Sequence, residues 1–307
     1  MDAEFCPSRI ERTPLLALRR TSDRAGLVRL AGHGATLAVT GLATQLALGS
    51  WLLLPAMAVH GAVLVFLFAP LHESIHRTAF RSRALNDGVA WVCGLLLLLP
   101  PDWFRAFHFA HHRHTQAAEH DPELATPKPA TVAAWIAHLS GLPYWTTQSR
   151  LLLRHAAGRV DAPFVTPRAV PGIVREARIV VAVYGVVAAA SFTTGSWAAV
   201  TLWLAPAMLG QPWLRAYLLA EHTLCPSTPD MLVNSRTTLT NTVVKYLAWN
   251  MPYHAEHHAF PAIPFHALPQ AHLRLRNELG TLAPGYLAVQ RAILRNLPLR
   301  RPATTSP

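Results

Sequence analysis

Trp249-Asn250-Met251-Pro252-Tyr253-His254-Ala255-Glu256-His257-His258 sets three histidines in the pattern HxxHH. The same pattern recurs at His108, His111 and His112, and a third cluster, His72-Glu73-Ser74-Ile75-His76, closes a long apolar run. Imidazole is the commonest protein metal ligand and suits iron and zinc. The eight histidines of these clusters are too many for one ion and suit a pair. On a helix, HxxHH sets the first histidine over the fourth and fifth positions, while the adjacent pair diverges by about 100°. Neighbouring imidazoles can thus serve different ions. Neutral imidazoles leave such a site cationic, so bridging oxide, hydroxide or water is required. Iron with open positions is the usual choice for activating oxygen.

The rest of the chain reads as a membrane scaffold for these clusters. Of its 307 residues 51% are hydrophobic and only 14% charged, against about 25% charged in soluble domains. The shortage is local: Leu30 to Leu71 and Ile179 to Leu214 contain no Asp, Glu, Lys or Arg. A membrane helix needs roughly 20 apolar residues, so each run is long enough for two crossings. Gly49-Ser50 and Thr194-Gly195-Ser196 supply the turns, and Trp51 and Trp197 suit the interface. The expected fold is an all-α integral membrane protein. Four transmembrane helices form two hairpins, with both termini and a histidine-rich helical cap on the cytoplasmic side. Gly88 to Pro101 is too short to cross and ends in two prolines, so it reads as re-entrant or interfacial. Pro129 to Ser149, interrupted by His138, Gly141 and Pro143, also reads as interfacial.

The expected organisation is a basic segment over 1–29, a membrane catalytic domain over 30–272 and a basic tail over 273–307. A net charge of +11 raises the question of nucleic acid. The arginines, however, gather in the tails and beside the apolar runs, as the positive-inside rule requires. Cys6, Cys93 and Cys225 are scattered, with neither disulfide nor zinc spacing. The segment before Leu30 holds six arginines and no apolar core, so no cleavable signal is expected there.

The boxes HESIH, HFAHH and HAEHH, in this order and separated by two apolar hairpins, resemble the membrane fatty acid desaturase superfamily. That superfamily also holds alkane hydroxylases and carotenoid ketolases and hydroxylases. The resemblance covers about Leu30 to His272, and NMPYHAEHHAFPAIPFHALPQAH looks most like bacterial desaturase or hydrocarbon oxygenase members. It implies two iron ions on the cytoplasmic side of a four-helix membrane unit, with O2 as co-substrate. The implied ligands are His72 and His76; His108, His111 and His112; and His254, His257 and His258. A ninth, His222, follows the last span in an element, Glu221-His222, that resembles the family's own. In some members an upstream Asn holds a metal-bound water, but Leu218 stands one turn before His222 here. Glu73, Asp121, Glu221, Asn250 and Glu256 are candidates to orient the ligands, and Asn234 and Arg236 to do the same or to touch substrate. His33, His60, His138, His155, His266 and His272 are expected to be structural, and His114 and His120 to hydrogen-bond or face solvent.

The resemblance implies an O2-dependent lipid desaturase of a bacterial inner membrane, with hydroxylation or ketolation of a lipid, hydrocarbon or small molecule as the alternative. The sequence has no haem-binding domain, cysteine cluster or dinucleotide fingerprint. Electrons are therefore expected from ferredoxin, rubredoxin or a cytochrome with its reductase. Two other readings compete. HESIH also fits the HExxH zinc protease motif, in which the glutamate is general base, but that leaves two boxes unused. A metal carrier would line its spans with ligands, and these spans hold few.

Overall fold

The computed structural model describes residues 12–298, which are helical apart from one two-residue parallel β pair. Helix α1 (Arg12–Leu16) leads through a 3-10 turn into α2 (Asp23–Leu46). The Ser22 hydroxyl caps α2 by accepting from the Ala25 amide, and Asp23 adds negative charge at the positive helix end. Gly49, at φ +76, makes the turn into α3 (Leu53–Val65), which continues past a break at Phe66-Leu67 into α4 (Phe68–His76). Box one therefore ends a nearly continuous apolar helix. The chain then forms α5 (Arg83–Leu97) and α6 (Pro101–His114), bent by 96°. Leu98, at φ +57, and Pro100-Pro101 make that bend. Pro101 starts α6, where its missing amide leaves nothing unpaired.

Two shorter helices follow, α7 (Val132–Leu139) and α8 (Leu142–Ala156), hinged at Gly141 with φ +72. Helix α9 (Val170–Thr194) ends at Gly195, and a π-helical turn over Val200–Leu204 opens α10 (Ala205–His222). The remainder builds a cap from α11 (Met231–Asn234), β1 (Thr237–Thr238), α12 (Thr242–Leu247), α13 (His254–Ala259), α14 (Leu268–Leu275), β2 (Leu282–Ala283) and α15 (Tyr286–Arg295). β1 pairs in parallel with β2, which ties the two ends of the cap.

Leu53–His76, 24 residues long with an 18-residue window of mean hydropathy 2.0, is long and apolar enough to cross a bilayer. The bent α5–α6 pair would be a second crossing if its halves formed one span. The other expected crossings are less uniformly apolar. α2 carries Asp23, Arg24 and Arg29 in its first turns, and α9 carries Arg175, Glu176 and Arg178. Their far ends are apolar and bare. Leu46 is 79% and Trp51 84% exposed at the first hairpin tip, and Phe192 is 89% and Trp197 74% exposed at the second. Large apolar side chains so exposed mark contact with lipid or another apolar surface.

Between the helices, the histidines expected to be structural take up backbone carbonyls. His33 Nδ1 accepts from the Trp249 indole at 3.4 Å, so its Nε2 donates to the Val63 carbonyl at 3.0 Å, beside the break in α3–α4. His60 joins the Thr40 hydroxyl at 2.8 Å to the Leu202 carbonyl at 3.0 Å. The expected basic end segments are not separate from the core. Leu15 is 2% exposed, and Arg29 donates to the Tyr246 carbonyl at 2.9 Å. The expected boundary at 272/273 falls inside α14, and Val289 and Ile293 of α15 pack with Leu219 and Ala220 of α10.

α3 and α10 meet backbone to backbone at Gly61 and Gly210. A Cβ at Gly61 would overlap the Pro206 carbonyl, and one at Gly210 would overlap that of Gly61. Small residues permit such close crossings in membranes. Gly61→Val is expected to cost about 1–3 kcal/mol of stability, read as a lower thermal unfolding midpoint of the purified protein, whereas Gly185→Val, in open space, should leave it unchanged.

Candidate metal centre

Four helix ends supply the nine candidate histidines. α4 ends on box one, where Arg77 turns left-handed at φ +62. α6 carries box two, and α10 ends on His222. Box three lies on α13, reached through the left-handed pair Trp249 and Asn250, at φ +48 and +60. The Asn250 side chain donates to the Phe265 carbonyl at 3.0 Å. It therefore shapes the loop before box three and does not reach the histidines as a ligand partner.

The nine rings converge as two adjoining groups. His72, His76, His108, His112 and His257 offer nitrogens that all lie within 4.8 Å of one another, as do His111, His222 and His258. His254 joins the second group, with its Nε2 3.0 Å from His222 Nε2. The adjacent pairs His111-His112 and His257-His258 are split between the groups, as the helical angle between neighbours dictates. His114 and His120 pack on each other, with ring centroids 5.3 Å apart, outside both groups.

Hydrogen bonding alone does not satisfy these rings. His108 Nε2 lies 2.9 Å from both His76 Nε2 and His112 Nε2, and His112 Nε2 lies 3.2 Å from His257 Nε2. His222 Nε2 meets both His111 Nε2, at 3.2 Å, and His254 Nε2. A neutral imidazole has one proton for two nitrogens, so one Nε2 cannot donate to two neighbours. Lone pairs turned on a common point suit a cation. Burial and the surrounding imidazoles hold His254, His257 and His258 well below the usual histidine pKa, in the neutral form that binds metal.

Partners outside the second group fix its rings. His111 Nδ1 lies 2.9 Å from Asp121 Oδ1, and Glu123 is 3.7 Å away. His222 Nδ1 faces the Asn234 carbonyl at 3.3 Å, and His254 Nδ1 lies 3.3 Å from Glu221 Oε1. Thr115 donates to the His111 carbonyl at 2.8 Å, so its oxygen accepts from His258 Nδ1 at 3.2 Å. Burial raises the Asp121 pKa, but the His111 bond and charge and the amides of Gln116 and Glu123 outweigh it and hold the carboxyl below its usual range. Asp121 is thus an ionised acceptor, which turns His111 Nε2 inward. His72, His112 and His257 of the first group, and His254 of the second, have no hydrogen-bond partner at Nδ1.

The other two acids expected to orient ligands point elsewhere. Glu73 accepts from the Thr78 hydroxyl at 2.9 Å and the Phe265 amide at 3.1 Å. It fastens box one to the cap and meets no histidine, which removes the geometry needed for the protease reading. Glu256 takes the Thr237 hydroxyl and His272 Nδ1. Arg236 donates to the carbonyls of Ala220 and Thr223 and so ties down the end of α10. Thr115 was not singled out by sequence; Asn234 was, and it is its backbone carbonyl that faces His222. Thr115 follows box two by three residues, but nothing in the pattern says which ring it meets.

The histidines open onto a cavity of about 620 Å³. His72, His108, His111, His222 and His254 form one part of its wall, and Phe66, Phe68, Trp103, Phe104, Phe107 and Phe164 form an apolar part. Glu119, Glu123 and Lys128 lie at its polar side.

The model of the family described as "Fatty acid desaturase" matches residues 49–289. The sn-1 oleoyl-lipid 12-desaturase of Picosynechococcus sp. is 27% identical over 264 residues, covering 79% of this chain and 75% of that protein. The enzyme of the same name from Anabaena variabilis is 26% identical over 254 residues, or 77% and 72% of the two chains. A sphingolipid delta(4)-desaturase/C4-monooxygenase of Rattus norvegicus is 26% identical over 229 residues, or 71% and 64%. The expected resemblance extends over most of the chain, and the zinc protease and metal carrier readings find no counterpart in these similarities. The chain belongs to the fatty acid desaturase family, and is a membrane oxidoreductase of that family.

Proposed function

We propose that this protein uses O2 and two external electrons to desaturate an aliphatic chain that enters from the bilayer. The observation that carries the reading is the pair of histidine groups in the wall of an apolar cavity. His72, His76, His108, His112 and His257 would hold one iron, and His111, His222, His254 and His258 the other. When bound, two irons supply the O2 chemistry that removes hydrogen from an unactivated C–H bond. The reaction balances as a CH2–CH2 unit, O2, two electrons and two protons giving CH=CH and two waters.

The chain's own residues set position and environment. The phenylalanine wall takes up the aliphatic chain and keeps bulk water from it. Asp121, Thr115 and the Asn234 carbonyl hold three rings in one tautomer, which limits ligand motion during turnover. The similar lipid 12-desaturases support desaturation. The relative named desaturase/C4-monooxygenase supports hydroxylation as a second outcome, in which one oxygen enters the C–H bond and one leaves as water.

The proposed topology has four crossings, α2, α3–α4, α9 and the π turn with α10, below a cytoplasmic cap in a bacterial inner membrane. The bare apolar hairpin tips support it. Electrons would come from ferredoxin, rubredoxin or a cytochrome with its reductase, docking on the arginine-rich cytoplasmic face.

Cells making the wild-type chain with a reductase system should accumulate a product lighter by two hydrogens, and cells making His257→Ala should not. Mass spectrometry reads the difference; a product heavier by one oxygen would replace desaturation by hydroxylation, and turnover retained in His257→Ala would remove the metal assignment. Asp121→Asn should keep the fold but lose iron about ten- to a hundredfold more readily to a chelator, measured as metal content after dialysis. Box three gives a pH dependence. Its folded-state pKa values lie below the unfolded histidine value of about 6.5. The metal-stripped protein should therefore be most stable above that value, and its thermal midpoint should fall as pH drops through it.

A further inference from the structure

Arg215 lies on α10 seven residues before His222. Two helical turns separate them, so both sit on nearly the same face, about 10 Å apart along the axis. Both line the same cavity. A guanidinium so far into an apolar scaffold needs a partner, because an unpaired charge there is expensive. Among the described residues, no carboxylate lies within ion-pair distance of Arg215. Its guanidinium rests 4.3 Å from the centroid of the Tyr144 ring. That contact occupies the face of the cation and leaves its in-plane N–H donors to be filled.

Four of the cavity's other charges have neighbours of their own. Asp121 and Glu123 face His111, and Glu221 faces His254. Lys128 donates to Gln116 Oε1 and to the His222 carbonyl, both at 3.2 Å. Around Arg215, by contrast, donors and acceptors stand empty. Arg215 Nε has no hydrogen-bond partner, and neither does His138 Nε2. Gln211, one turn below Arg215 and 1% exposed, has both amide atoms unpartnered. The Tyr144 hydroxyl is fixed on the Leu97 carbonyl at 2.8 Å, so the ring under the guanidinium is held in place.

We infer that Arg215 receives the carboxylate of the substrate, so that this chain oxidises a free aliphatic acid and not an esterified acyl lipid. The inference rests on the proposed aliphatic oxidation at the histidine groups, and it adds the substrate's other end. A planar guanidinium edge pairs two N–H donors with a carboxylate, and a singly charged group costs less to bury than a phosphate. His138, which lines the same cavity, offers an unpartnered Nε2.

The test is calorimetric binding to the purified, iron-loaded full chain in detergent, with laurate and methyl laurate as probes. These differ in charge and share the same aliphatic chain. Wild type should bind laurate about tenfold or more tightly than the ester, as expected for hydrogen bonds to a charged group. Arg215→Gln should bind the two equally, and Arg215→Lys should keep part of the preference. Circular dichroism and iron content unchanged in Arg215→Gln exclude misfolding as the cause. His257→Ala should lose iron but keep the laurate preference, which separates this site from the metal assignment. Absence of a laurate preference in wild type, or its survival in Arg215→Gln, would overturn the inference.

Discussion

A neutral imidazole has a single proton for two nitrogens, and His108 and His222 each turn one Nε2 on two other histidines. Buried polar atoms left in that state cost free energy. Cations between the rings would relieve it. The fold can be read as the means of holding this arrangement. α4, α6, α10 and α13 come from distant parts of the chain, and each delivers its histidines from a helix end. The 96° bend before box two, the glycine contact between α3 and α10, and the left-handed turn before box three set those ends.

The two groups are held differently. Three rings of the second group, His111, His222 and His258, have an outer hydrogen-bond partner at Nδ1, whereas His254 Nδ1 has only Glu221 Oε1 nearby at 3.3 Å. In the first group, His72, His112 and His257 lack one. Their orientation depends instead on packing, such as the stacking of His112 on His258, with centroids 4.1 Å apart. The cavity is lined by His111, His222 and His254 of the second group and by His72 and His108 of the first, so both groups face it.

How much was legible follows from distance along the chain. HxxHH fixes which rings share a helix face, so the split of His111 from His112 and of His257 from His258 could be read from sequence. His222 could be placed by its position after the last apolar run. Asp121 is close to His111 in sequence, and its bond was anticipated. Glu73 and Glu256 sit inside the boxes, yet they turn to Phe265, Thr237 and His272, because residues 237–272 wrap over the site in a way no local pattern encodes. Thr115 escaped for the same reason. The uncharged runs were legible, but helices α2 and α9 begin well before those runs, at charged turns.

Pro206 has no amide hydrogen, so it leaves the carbonyl four residues earlier, that of Leu202, without its helical donor. His60 supplies the missing bond from another helix. Neither residue is therefore free to drift alone. Loss of the histidine strands a carbonyl in an apolar setting, whereas loss of the proline restores the amide and makes the imidazole redundant. Related sequences should accordingly change these two positions together, the proline first and the histidine only afterwards.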